Sequence, residues 1–261
     1  MAYSNPYPNS NPSENNFRSR QASFEALSKE LAEKELELAT LQNELADFET
    51  RYAQTVGVLF TELDMLDREI ARELFRLHPE EKYKQGFQNA EKKAKTSQKA
   101  VDEKLEQEER KAFTPSEALK NLFRNVAKTI HPDLATNEDE RAYRTELMAR
   151  ANTAYRNGDM EALEKILFEW EHREEKSNQD EEQQEASDQL DKKITQIMLR
   201  LEEIRSKIEE LKNSELHQLM MKVSQAEEQG QNLLGEMATN LLRQIQGAKE
   251  LLNNLKPQEK G

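Results

Sequence analysis

From Phe24 onward, apolar side chains recur in alternating steps of three and four: Phe24, Leu27, Leu31, Leu38, Leu41, Leu45, Phe48, Tyr52 and Leu59, with Lys34 and Thr55 filling two of the slots. This spacing lays a single stripe along a helix and is the seam of a coiled coil. The stripe continues at Leu63, Leu66, Ile70 and Leu77, but an extra step of four near Leu59 breaks the strict heptad and should locally unwind any supercoil. A second seam runs from Leu190 through Ile194, Ile197, Leu201, Ile204, Ile208 and Leu211. With 35% hydrophobic and 34% charged residues and only 7 Gly and 7 Pro in 261 positions, the balance is that of long helices, too poor in apolar side chains for one large core. The fold class expected is all-α, with long coiled-coil helices flanking a small compact module.

Punctuation along the chain divides it further. Residues 1–19 are rich in Asn, Ser and Pro and read as a disordered tail. Residues 20–111 read as a coiled-coil hairpin, because Pro79 stops the first helix at His78 and a thinner stripe follows at Tyr83, Phe87, Ala90, Ala94, Val101 and Leu105. Residues 112–172 hold the larger apolar side chains and the only Trp, and 173–188 are an acidic solvated helix or linker. Residues 189–256 form a C-terminal coiled coil, with breaks expected at 212–214 and at Gly230.

The central module carries the strongest local signals. Thr114 as N-cap, Pro115 at the first helical position and Glu117 in a capping box predict a helix start. Its inner face is Leu119, Leu122, Phe123, Val126, Ala127 and Ile130, and Lys120, Arg124 and Lys128, spaced by four, line one exposed row. Pro132 ends this helix near Ile130 and stiffens the turn that holds His131 and Asp133. Asn137, with Glu140 at the capping-box position, opens a second helix whose inner face is Tyr143, Leu147, Met148, Ala151, Ala154 and Tyr155. Asn157-Gly158 closes it, and Asp159 caps a third helix that buries Met160, Leu163, Ile166, Leu167 and Trp170.

Leu119, Phe123, Arg124, Ala127, Lys128, His131, Pro132 and Asp133, followed by "LMARANTAY" at 147–155, resemble the second helix, loop and third helix of a J-domain, the module of DnaJ-like co-chaperones. The resemblance covers roughly 115–157. It implies docking of Lys120, Arg124, Lys128 and the His131-Pro132-Asp133 loop on a DnaK-type (heat-shock 70 family) chaperone, whose ATP hydrolysis is stimulated. The basic row would steer association and His131 and Asp133 would make directional contacts. The chain departs from the family in lacking the short first helix, a Gly/Phe-rich linker and zinc-ribbon cysteines. The Met160–Trp170 helix is expected to cover the face that the missing helix leaves open.

Other function classes find little support. The net charge of -13 disfavours nucleic acid, the absence of cysteine excludes thiol chemistry, and no apolar run approaches the ~20 residues that span a bilayer. Histidines 78, 131, 172 and 217 have no metal-ligand spacing, and no phosphate loop or nucleophile motif appears, so neither a catalytic residue nor a metal or other cofactor is expected. The default is a cytoplasmic co-chaperone that is not an enzyme, with the coiled coils serving homo-oligomerisation or attachment of client proteins. The competing class is a structural or adaptor coiled-coil protein with a degenerate J-like pair. In that reading the basic row is a solvated face and His131 merely favours a helix C-terminus.

Overall fold

A computed structural model of the protein describes residues 12–105, 114–173 and 183–256. The described residues form helices without strands, an all-α architecture: α1 Pro12–Tyr52, a π-helical turn Ala53–Gly57, α2 Val58–Leu77, α3 Glu81–Leu105, α4 Glu117–Ile130, a 3-10 turn Pro132–Leu134, α5 Glu138–Asn157, α6 Met160–Glu171, α7 Gln183–Asn213, α8 Glu215–Glu228 and α9 Leu233–Leu255. Among the described residues no helix is long and apolar enough to cross a membrane.

The chain divides into two units, Met1–Asn43 with Phe113–Lys212, and Glu44–Ala112 with Asn213–Gly261. This differs from the five consecutive segments expected, because each unit is built from two stretches distant in sequence. The expected tail also differs: α1 is already helical at Pro12, a residue well suited to a first helical turn, and residues 1–11 lie outside the described set. The 189–256 segment is split, with α7 in the first unit and α8 and α9 in the second. Ser214 caps α8 by accepting a hydrogen bond from His217 N, and Gly230 ends the turn after it at φ 73°.

In the first unit, Leu119, Phe123, Val126 and Ile130 of α4 close on Leu147, Ala151 and Tyr155 of α5 and on Leu163, Ile166 and Trp170 of α6. The expected cover by α6 is present, although Met160 is exposed. Sequence reasoning missed a second cover, a stripe of α1 formed by Ala32, Leu36 and Ala39 that joins the same core. Thr40 of α1 hydrogen-bonds the Tyr155 hydroxyl at 2.8 Å. The seam of α7, Ile197, Leu201, Ile204 and Ile208, is buried. Ion pairs Arg20 to Asp191, Glu30 to Arg205 and Glu37 to Lys212 advance together along α1 and α7, so the two helices run in the same direction.

In the second unit, the π-helical turn falls where the sequence has its extra step of four. A wider turn absorbs a residue and resets the phase of the stripe, so Phe48 before it and Val56 within it share one cluster with Val223, Leu234 and Leu241. A Cβ on Gly57 would stand 3.2 Å from Val101 of α3, so the missing side chain permits a close approach. The α2/α3 pair is fastened by Asp64, buried on α2, which takes Lys93 Nζ at 2.8 Å and the Ser97 hydroxyl.

Candidate functional site

The α4–turn–α5 pair holds all six residues singled out by the sequence. Its helix start differs from the expected one: Ser116, not Thr114, is the N-cap, accepting from Leu119 N at 3.1 Å. Glu117 thereby becomes the first helical residue, where a carboxylate meets the positive end of the helix, and it pairs with Lys120 at 2.9 Å instead of closing a capping box. The predicted caps at the next two helices are present, Asn137 accepting from Glu140 N and Asp159 from Ala162 N, each at 2.9 Å. Gly158 closes α5 at φ 69°, a left-handed conformation that costs glycine little.

The basic row is less free than its spacing implies. Lys120 pairs within α4, and Arg124 Nε lies 3.0 Å from Glu33 Oε2 of α1. Lys128 is exposed and makes no ion pair among the described residues.

The loop residues divide into one that is buried and two that are half-buried. His131 is 4% exposed. Its Nδ1 accepts a hydrogen bond from Asp133 N at 3.2 Å, so its proton sits on Nε2, which donates to Glu35 Oε1 at 3.0 Å. The same oxygen accepts from Arg200 Nε at 3.1 Å and Nη2 at 2.9 Å. Burial alone would raise the Glu35 carboxyl, but the His131 hydrogen bond and the Arg200 charge outweigh it and hold the group below its ordinary range. Pro132 and Asp133 remain partly exposed, and Asp133 lies 3.7 Å from Arg141 Nη2.

Behind the turn, Arg144 Nη1 donates to Thr129 O at 2.9 Å, a carbonyl that the helix end leaves open, and to His131 O at 3.3 Å, which also accepts from Leu134 N. Its guanidinium stacks 4.1 Å from the Trp170 ring, whose other cationic neighbour, Arg173, is at 3.4 Å. Glu140 anchors Arg144 at 2.8 Å and accepts from Thr136 N and Oγ1. Burial opposes ionisation of Glu140, but these hydrogen bonds and the Arg144 charge bring its pKa down to about 2.

Beside the turn lies a groove of about 530 Å³ whose walls include Asp133, Arg141, Arg200 and Glu203. Among the described residues, no group of three or more His, Asp or Glu is placed to hold a metal ion. Glu35, Arg144 and Arg200 escaped sequence reasoning. Only Arg144 had a local signal, its position four residues after Glu140. The chain matches no protein-family model, no curated protein and no solved structure.

Proposed function

We propose that the protein is a J-domain-type co-chaperone that binds a DnaK-type chaperone through the α4 row and the His131-Pro132-Asp133 turn and stimulates its ATP hydrolysis. The observation that carries this reading is the turn itself: a Pro-stiffened loop between two helices packed on each other, clamped from behind by Arg144, with Asp133 at the edge of a groove. The chemistry belongs to the partner, so the chain acts as a regulator and not as an enzyme. Its long helices serve client attachment or self-association.

A second reading has its own support. Both ring nitrogens of His131 are engaged within the chain, which suits a scaffold whose turn is only a buried helix stop. Single-turnover ATP hydrolysis by a DnaK-type chaperone separates the two. Because His131 is part of the interior, Asp133→Asn is a cleaner test than His131→Gln. The co-chaperone reading expects stimulation by wild type and loss of about tenfold or more in Asp133→Asn with an unchanged melting curve, the effect of removing one charge-assisted contact. A folded wild type that gives no stimulation favours the scaffold.

A further inference from the structure

His131 is turned inward, yet it remains coupled to the part of the turn that faces out. Its ring is a bridge: one nitrogen is bound to a carboxylate on α1 and the other to the backbone amide of Asp133. A neutral imidazole has one donor and one acceptor, so fixing the donor at Nε2 makes Nδ1 the acceptor. Glu35 is the group that fixes it. A carboxylate offers only acceptors when ionised, and Arg200 supplies the opposing charge at the same oxygen.

We infer that Glu35 is a positioning residue for the docking turn: it locks the His131 tautomer, His131 in turn holds the Asp133 amide, and the Asp133 carboxylate is thereby kept at the mouth of the groove. This inference rests on the co-chaperone reading for its consequence, but its first link is internal to the chain. It divides the motif's labour, with Asp133 and Pro132 meeting the partner and His131 bracing them from inside. It also extends the site to α1, outside the stretch that resembles a J-domain.

The test uses the full chain with three substitutions. Glu35→Gln retains an acceptor oxygen for His131 and Arg200. Glu35→Ala removes it, and Glu35→Leu removes it while filling the space, which serves if the alanine variant fails to fold. Nitrogen chemical shifts of the neutral His131 ring report its tautomer, and Trp170 fluorescence reports folding of the first unit. The expected result is an Nε2-protonated ring in wild type and Glu35→Gln and a mixed population in Glu35→Ala and Glu35→Leu. Chaperone stimulation should follow the same order, near wild type in Glu35→Gln and down by about tenfold where the acceptor is lost.

An unchanged tautomer in folded Glu35→Ala or Glu35→Leu overturns the inference, as does full stimulation by a variant whose tautomer is scrambled. If wild type gives no stimulation, the co-chaperone reading falls. The tautomer series then decides alone whether Glu35 positions the turn.

Discussion

The chain contains two histidine-proline-acid turns, and they have come to opposite ends. At His78-Pro79-Glu80 the proline stops α2, His78 N donates to Leu74 O at 2.9 Å, and the exposed ring stacks on Tyr83 with centroids 5.3 Å apart. At His131-Pro132-Asp133 the proline stops α4 in the same way, with His131 extended at φ -57° and ψ 134°. There the ring is buried and bound at both nitrogens. The local chemistry of helix termination is common to both, since the residue before proline is driven out of the helical region whatever surrounds it. What differs is the supply of partners from elsewhere: Glu35, Arg200 and Arg144 converge on the second turn. A three-residue motif therefore specifies a stop, and its surroundings determine whether the stop is also braced from elsewhere in the chain.

The contrast is sharpest where the surroundings are removed. Trp170→Ala, which takes away the ring under Arg144 and part of the core, should destabilise the first unit by about 3–5 kcal/mol. A thermal melt followed by circular dichroism checks this, and an unshifted first transition would mean that α6 does not support the turn. His131→Ala should cost about 2 kcal/mol, from a lost hydrogen bond to a charged acceptor and a small cavity, whereas His78→Ala should stay within about 0.5 kcal/mol. Equal effects of the two substitutions would erase the distinction drawn above.

Acid should act more gradually, through the carboxylates that brace the second turn. Glu140 has a folded pKa of about 2 against an ordinary 4.5, so its contribution is fully present above about pH 4.5 and drains away as the pH falls toward 2. The lowered Glu35 adds in the same direction. Trp170 fluorescence during acid titration should therefore show the first unit loosening in that window, with a shallower dependence in Glu140→Gln.

Much of this was legible in the sequence because it is local. The caps at Asn137 and Asp159, the glycine at 158, both proline stops and the inner faces of α4 and α5 depend on neighbours within a few residues. Even the widened turn at Ala53–Gly57 was announced by one misplaced step in the stripe. The cap at Thr114 was misplaced by two residues because Ser116, also a good cap, competes in the same stretch. Glu35 was beyond reach. It is one of 51 acidic residues, beside a seam, and its partner His131 lies 96 positions away. A hint existed in Ala32, Leu36 and Ala39, a second stripe of small apolar residues on α1, but a stripe does not name what it packs against.

The separation of Glu35 from its partners also sets a schedule. During synthesis α1 is complete long before α4 exists, and Arg200 follows Glu35 by 165 residues. At ordinary ribosomal rates the wait is roughly ten to thirty seconds. Until α4–α6 are made the second stripe of α1 has nothing native to bury it, and until Arg200 follows, Glu35 lacks the guanidinium that shares its oxygen with His131. A helical protein is usually a quick folder because its contacts are near in sequence, but this unit has the long loop closures of a slower class. Newly made chains thus pass through a stage of exposed apolar surface, and they are themselves apt clients for a chaperone.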